Sequence, residues 1–372
     1  MGTEPRHLGR EADPQTGGDP RVSVVIPVFD AGERLAACLD SVLAQDLGTE
    51  RLEIVAVDDG STDGSGAVLD AYAGRHPGVR VIHQANSGWP GRPRNVGTDA
   101  ARGTYVFYLD ADDTLAPTAL RRMLEVADEH GSDIVVVRSV VMRDGRPVRE
   151  ASMRQTVPDL DLGSAFGQLT PHKLLRRSFL QEHGLRFPEG RVRLEDGIFF
   201  SRAYYLAGRI SALGDEDYYR RNVMVEGGNV SRSEIDPHDY ARSLATIFDT
   251  IRELDADEER AERIIRWQYR HKGLKFFRPR RFLAASPAYR AACVEAMGEL
   301  ARTRIPPEME ASLAEPFRTR SSTVRTGDVD AVTALARREA TPAPAPRRGR
   351  AVRARALLRA AWPGRRRRQQ PG

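Results

Sequence analysis

The stretch that most constrains this chain is Tyr105–Thr114, which reads Tyr-Val-Phe-Tyr-Leu-Asp-Ala-Asp-Asp-Thr. Apolar residues rich in aromatic and β-branched types run without a break into a group of carboxylates. A short continuous apolar run suits a strand covered on both faces, as in a parallel sheet. Asp110, Asp112 and Asp113 then lie where that strand leaves the sheet, the edge at which open α/β sheets bind ligands. Carboxylates this close repel one another unless protons or a cation intervene, and hard oxygen donors suit Mg²⁺ or Mn²⁺. Taken alone, the same residues also suit a solvated aspartate turn.

The flanking pattern extends the sheet. Val22–Ile26 reads as a strand closed by Pro27, and Glu33–Gln45 as a helix with Leu35, Cys38, Leu39, Val42 and Leu43 on one face. Leu52–Val57 is a strand running into Asp58–Gly64, followed by a helix at Ala67–Ala73 and a strand at Val79–Ile82. Gly88–Pro93 is a Pro/Gly loop, Arg94–Ala101 a helix, Pro117–His130 a helix with proline in its first turn, and Asp133–Val137 a strand. Strands alternating with helices predict an α/β fold, a mostly parallel sheet with helices on both faces. No Gly-x-Gly-x-x-Gly follows the first strand and no Gly-Lys-Ser/Thr occurs, which speaks against dinucleotide and P-loop sites.

Further on, Asp144–Gly167 reads as a loop or small excursion, and Lys173–His183 as a helix. Asp196–Leu206 reads as a helix with Ile198, Phe199, Ala203 and Leu206 inward. Tyr218–Arg221 ends a strand and Val225–Ser233 is a Gly-rich loop. From Asp239 to about Ala340 the pattern is helical, broken at Pro279, Pro306-Pro307 and Pro316. The expected organisation is a disordered tail over 1–20, an α/β domain over 21–235, a helical region over 236–340 and a Pro/Arg-rich basic tail over 341–372.

Of the 372 residues 29% are charged, and no apolar run is long enough to span a bilayer. The polar first twenty residues lack the apolar core of a signal peptide. Two distant cysteines, Cys38 and Cys293, define no disulfide or metal framework. A reduced, cytoplasmic protein is expected. The net charge of +5 becomes −5 once the ten arginines beyond Thr341 are set aside. An acidic body with no visible stacking platform argues against nucleic acid as a partner.

Pro27–Asp30, Asp58–Asp63, Arg92–Asn95 and Asp110–Asp113 are all expected at the C-terminal edge of one sheet. Together they offer acceptors for a base, cations and helix N–H groups for a diphosphate, and carboxylates for a metal. The runs Val24-Val-Ile-Pro-Val-Phe-Asp30, Val57-Asp-Asp-Gly-Ser-Thr-Asp63, Pro93-Arg-Asn-Val-Gly97 and Leu109-Asp-Ala-Asp-Asp113 resemble, in order and spacing, the family 2 glycosyltransferases of the GT-A fold. The resemblance continues through His172-Lys-Leu-Leu-Arg-Arg177, Arg186-Phe-Pro-Glu-Gly190, Leu194-Glu-Asp-Gly-Ile-Phe-Phe200 and Tyr218-Tyr-Arg-Arg221, and covers about Val22–Ser233.

It implies sugar transfer from a nucleotide donor, a UDP-sugar, with inversion at the anomeric carbon. It implies that Pro27, Val28 and Asp30 line the base pocket and that Asp59 bonds the uracil edge. Arg94, with Asn95 beside it, meets the diphosphate, and Asp110 approaches the ribose. Asp112 holds Mn²⁺ or Mg²⁺, with Asp110, Asp113 and His238 as further candidate ligands. Asp196 becomes the base that takes the acceptor's proton, and Glu195 orients the acceptor or supports Asp196. Asp196 also suits a helix N-cap, and a helix N-terminus is expected to keep it ionised. Lys173, Arg220, Arg221, Asn229 and Ser231 form a secondary set, with Arg220 and Ser231 as phosphate contacts.

Pro93, where the usual family member has a small residue, resembles the subset that glycosylates poly(ribitol phosphate) wall teichoic acid from UDP-N-acetylglucosamine. Ile305–Ala340, with Arg325-Thr-Gly-Asp328, is similar to that subset too. The implied acceptor is an anionic polyol phosphate. Capsule, exopolysaccharide or lipid-linked glycan acceptors are the alternative within the class. A non-catalytic nucleotide-sugar or polymer-binding protein is the rival outside it. The arginine tail has three readings: an amphipathic helix over Gly349–Trp362 on an anionic leaflet at the inner face of the plasma membrane, a grip on a polyphosphate acceptor, or a solvated tail.

Overall fold

The computed structural model describes residues 19–143, 145–149, 153–223 and 235–341. The expectations for the first eighteen residues, for most of the Gly-rich loop with Asn229 and Ser231, and for the chain beyond Thr341 lie outside the described residues. The strands are β1 Val22–Val28, β2 Leu52–Asp58, β3 Val79–His83, β4 Tyr105–Tyr108, β5 Thr114–Leu115, β6 Ile134–Val137, β7 Ser139–Arg143, β8 Arg146–Arg149, β9 Lys173–Arg176, β10 Ile210–Leu213 and β11 Tyr219–Asn222. Helices α1 Arg34–Leu43, α2 Ser65–Arg75, α3 Gly91–Ala100, α4 Ala119–His130, α5 Leu162–Phe166, α6 Arg177–Glu182 and α7 Glu195–Leu206 lie between them. After β11 come α8 Pro237–Leu254, α9 Glu258–Gln268, α10 Pro279–Ala284, α11 Pro287–Arg304, α12 Pro307–Ala311, α13 Phe317–Arg325 and α14 Val329–Ala340.

A seven-stranded sheet has the order β10-β6-β9-β4-β1-β2-β3, in which β9 alone runs antiparallel to its neighbours. A second, four-stranded sheet has the order β5-β11-β7-β8. The two-residue period of a strand sends alternate side chains to opposite faces. Val24, Ile26, Tyr105 and Phe107 therefore join a core under α1, α2 and α4, while Val25, Val106 and Tyr108 join the other.

That second core is continuous with Phe199 and Phe200 of α7, Phe248 and Ile251 of α8, Met297 and Leu300 of α11 and Ala336 of α14. The helical region thus covers one face of the sheet, and apolar packing runs without interruption across the expected boundary at 235/236. Helices α8, α10, α11 and α12 each carry proline in the first turn, where the missing N–H would have no intrahelical partner.

Several expectations are corrected. Pro27 does not close β1. It pairs in register with Val57, and the ladder to β4 ends at Val25, so one edge of Pro27 has no partner strand and a missing donor is tolerated there. Helix α3 starts at Gly91 and takes Pro93 into its first turn. The segment expected to be helical from Lys173 opens instead as β9, inserted between β4 and β6. Buried on both faces, its Leu174-Leu175 pair carries no periodicity that separates strand from helix. On α7 the buried apolar side chains are Phe199, Phe200, Ala203 and Tyr204, with Ile198 and Leu206 only half-buried.

Helix α3 lies close on β1: a Cβ on Gly97 would stand 2.4 Å from Cγ1 of the fully buried Val25. Overpacking of this kind costs about 1–3 kcal/mol. Gly97→Ala is expected to lower unfolding free energy by that amount in denaturant titrations, with an unchanged slope.

Candidate active site

The chain passes from the large sheet to the small one through Asp110–Asp113. This turn is closed by the Asp113 N–H donating to the Asp110 carbonyl at 3.0 Å and leads directly into β5. Strand β11 fixes it from the side. Tyr219 Oη donates to Asp113 Oδ2 at 2.7 Å, and the Asn222 N–H donates to Oδ1 at 2.9 Å. His172, just before β9, stacks flat on Tyr219 with ring centroids 3.8 Å apart, and its Nε2 stands 3.5 Å from Asp110 Oδ2.

Asp110, Asp113 and His172 each bring a ligand atom within 4.8 Å of the others. Burial, then Asp110 and Asp112, push the Asp113 carboxyl well up. Burial takes His172 down to about 4 against the pull of Asp110. The imidazole is therefore neutral near pH 7, the form that ligates metals, and its buried Nδ1 has no hydrogen-bond partner among the described residues. Crowded carboxylates beside a neutral, under-satisfied imidazole fit a divalent cation. Asp112 stands outside this group. Its Oδ2 faces Arg34 at 3.4 Å and its carbonyl accepts from Asn222 Nδ2 at 3.1 Å. His238 is on α8, where its Nε2 lies 3.8 Å from Glu295.

Arg94 of α3 stands at the centre. Its Nη2 donates to Asp110 at 2.9 Å, and its Nη1 donates to Asp196 at 2.8 Å and to Glu195 at 3.3 Å. The guanidinium is buried, with Cζ 5.2 Å from the centre of the Phe187 ring. Burial alone would lower its pKa, but Asp196, Asp110 and Glu195 overcome that and raise it. Burial opposes the charge on Asp110 too, yet Arg94 and His172 hold that carboxyl well below the usual range.

Asp196 behaves otherwise. Burial, then the neighbouring Glu195 charge, push it up to about 8 although Arg94 and Lys173 pull the other way. The expectation that a helix N-terminus would keep it ionised is thereby overturned. A terminal dipole is worth about 0.3–1 kcal/mol at an exposed site, less than the loss of water around a buried charge. Nor is Asp196 the N-cap: that position belongs to Leu194, at φ 59°, so Glu195 and Asp196 form the first turn itself. Beneath them lies Lys173, fully buried, with Nζ donating to the Thr170 carbonyl and lying 4.1 Å from the centre of the Phe200 ring. Burial brings it down to about 7.

The other expected donor-side residues fall at the ends of β1 and β2. Pro27 is half-buried and Val28 buried. Asp30, at φ 44°, ties two loops together: its carboxylate accepts from the Thr62 N–H at 2.7 Å and its own N–H donates to Ser61 Oγ at 3.1 Å. Asp59 is buried and accepts from Gln84 Nε2, from the Ser87 N–H at 3.1 Å and from Ser87 Oγ at 2.8 Å. Asn95 is spent on structure. It accepts from the Phe187 N–H and donates to the Phe187 carbonyl, both at 2.9 Å, and to Glu189 at 3.0 Å. Arg220 lies on β11, paired with Thr114.

Two groups escaped the sequence reading. His172 was hidden because the following segment looked helical. The second is a group of cations, one of which reaches Asp196. Lys272 is close enough to feel the Asp196 charge. Lys275 is brought down to about 8 by burial and by Lys272, Arg281, Arg193 and Arg278. Its Nζ lies 4.1 Å from the Tyr240 ring centre, and Arg193 lies 5.0 Å over Trp89. Four of these cations come from the helical region, 79 or more residues after Arg193 in sequence.

Residues 23–194 match the family described as Glycosyl transferase family 2, and residues 237–336 match the Glycosyl transferase TarS linker domain. Glycosyltransferase GlyG of Streptococcus pneumoniae is 30% identical over 61% of this chain and 78% of its own length. The chain belongs to glycosyl transferase family 2.

The poly(ribitol-phosphate) beta-glucosyltransferase of Bacillus spizizenii is 35% identical over 64% of this chain and 38% of its own length. Staphylococcus aureus TarS, a poly(ribitol-phosphate) beta-N-acetylglucosaminyltransferase, is 28% identical over 83% of this chain and 54% of its own length. The chain therefore spans only about half, or less, of these two relatives. A crystal structure of S. aureus TarS residues 1–349 with UDP-GlcNAc superposes with a TM-score of 0.76 at 26% identity, covering 86% of this chain and 92% of that one. The mostly parallel sheet with a helical C-terminal region is thus the shared fold.

Removing one partner of a buried ion pair typically costs about 3–5 kcal/mol. Arg94→Gln is expected to lose that much stability at neutral pH. The loss should shrink as pH falls, because protonated carboxyls need no counter-charge. Denaturation midpoints at pH 5 and pH 7.5 would show it.

Proposed function

We propose that this chain is an inverting glycosyltransferase moving a sugar from a UDP-sugar, with UDP-N-acetylglucosamine first in line, to a hydroxyl of a polyol-phosphate polymer of the cell envelope. The observation that carries the reading is the setting of Asp196. It is joined through Arg94 to a buried cluster able to hold a divalent metal, and it feels Lys272, one of a group of cations supplied by the helical region. The first arrangement suits a nucleotide diphosphate and the second an anionic acceptor. The likeness to S. aureus TarS, including its UDP-GlcNAc complex, and to the B. spizizenii poly(ribitol-phosphate) beta-glucosyltransferase supports the same donor and acceptor classes.

Asp110, Asp113 and His172 would hold Mn²⁺ or Mg²⁺, which when bound neutralises charge on the departing diphosphate. The protein's own groups do the rest. Asp196 takes the proton of the acceptor hydroxyl, and a base with pKa near the working pH gains most from that role. Glu195 and Arg94 set its charge and orientation. Arg193, Lys272 and Lys275 meet the acceptor's phosphates and bring a hydroxyl to Asp196. The enzyme works at the inner face of the plasma membrane, where the ten arginines beyond Thr341 face anionic lipid.

Asp196→Asn is expected to keep UDP-sugar affinity in calorimetry and to lose turnover by about 10²–10⁴-fold, the usual worth of a general base. In the wild type the base form accumulates above its pKa, so kcat/KM should climb through about pH 8 and level off. Full turnover in Asp196→Asn would remove the residue from this role. Deletion of residues 342–372 should reduce co-sedimentation with phosphatidylglycerol vesicles, and unchanged binding would return the tail to solvent.

A further inference from the structure

Helices α5 and α9 wall an open groove of about 460 Å³ outside the Arg94 site, whose lining includes Asp161, Phe166, Arg260, Arg263, Ile264 and Trp267. Its size falls within the ~300–1,000 Å³ of small-ligand sites. Trp267 is 42% exposed, one of three large exposed apolar residues among those described. The others are Phe29, at the end of β1, and Val148, on β8.

The indole is held ready. It stacks on His271 with ring centres 4.2 Å apart, and His271 Nδ1 bonds the Trp267 carbonyl at 2.7 Å. The groove floor, Phe166 and Ile264, is buried, and Gln268 Nε2 donates to the Phe166 carbonyl at 2.7 Å, tying α9 to α5. At the rim, Asp161 spends one oxygen capping α5 through the Ser164 N–H at 3.0 Å. Arg263 has a surface contact to Glu259 at 3.1 Å, which leaves most of the guanidinium's donors facing out.

An exposed aromatic face, an apolar floor, a carboxylate and a guanidinium define a particular ligand. It has C–H faces to lay on an indole, hydroxyls to donate to a carboxylate and an anionic group for an arginine. A sugar-bearing or bare polyol-phosphate unit has all three. Helix α9 also continues through the wide-turn segment Tyr269–Gly273. Lys272, beside Asp196, is thus five residues beyond Trp267 on the same helical run. At about 1.5 Å rise per residue that is roughly 8 Å along the axis and partway round it, so one polymer reaching both follows the surface of the helix.

We propose that the α5–α9 groove is a second subsite for the polymeric acceptor, in which one unit stacks on Trp267 and its phosphate meets Arg263 while another unit reacts at Asp196. This rests on the polyol-phosphate reading above. A chain held at one subsite binds the other as an intramolecular event, so affinity rises with chain length without new chemistry at the reacting unit.

The test uses short and long ribitol-phosphate oligomers as acceptors, at saturating UDP-sugar, with wild type, Trp267→Ala, Trp267→Phe and Arg263→Ala. For long oligomers, KM should rise about tenfold or more in Trp267→Ala, rise in Arg263→Ala, and stay near wild type in Trp267→Phe. kcat, and KM for short oligomers, should not change. Equal effects on both lengths, or none, would overturn the subsite. Calorimetry of long oligomers without donor separates the two readings. If wild type binds them in a Trp267-dependent way but never glycosylates them, the acceptor reading falls and the groove stands. If binding is absent or indifferent to Trp267→Ala, the groove falls. A dimer seen by sedimentation and dissolved by Trp267→Ala would assign the groove to a second copy of the chain and also overturn the proposal.

Discussion

The arrangement of the site depends on one guanidinium. Arg94 is buried among the carboxylates of Asp110, Glu195 and Asp196. These come from the end of β4 and the start of α7, and Arg94 itself comes from α3. A buried arginine is tolerable only with such partners, and so are the carboxylates. Neither the sheet edge nor the first turn of α7 can move without stranding a charge. The pairing is incomplete by design of number: three carboxylates meet one guanidinium. Burial, then the Glu195 charge, push the Asp196 pKa up, while Arg94 and His172 hold Asp110 down against its own burial. Around one cation, two neighbouring carboxyls thus shift in opposite directions, Asp110 down and Asp196 up.

Topology supplies what surrounds this centre. The acid turn lies between two sheets, so it is gripped by β11 as well as by the strand it leaves. An antiparallel β9 inserted into a parallel sheet delivers His172 and Lys173 to the same edge from the opposite direction. The helical region shares its core with the sheet. Its Lys272 is therefore held near Asp196 by packing, with no need for a flexible linker to bring it there.

The parallel sheet, the helices on its faces and the acid turn were legible in the sequence. Alternation of strand and helix patterns, and the apolar run ending at Leu109, leave few other folds. The errors share a cause. Segments buried on all sides, such as Leu174-Leu175, carry no amphipathic period, and proline at 27 and 93 marks a boundary only where its missing N–H would be needed. Asn95 entered the site through the resemblance, beside Arg94, whereas its side chain makes three hydrogen bonds to Phe187 and Glu189, which the sequence places more than ninety residues away.

By itself the sequence determined that the Asp58–Asp63 and Asp110–Asp113 turns sit at the C-terminal edge of a parallel sheet, since strand periodicity and turn composition are local properties. Only the tertiary structure decided their charges and partners. Asp110 and Asp196 are the same residue type near element ends, yet their pKa values move in opposite directions. The reason is that desolvation and Coulomb interactions depend on distances across the fold, from Arg94 to α7 and from His172 to the acid turn, and no local pattern encodes those.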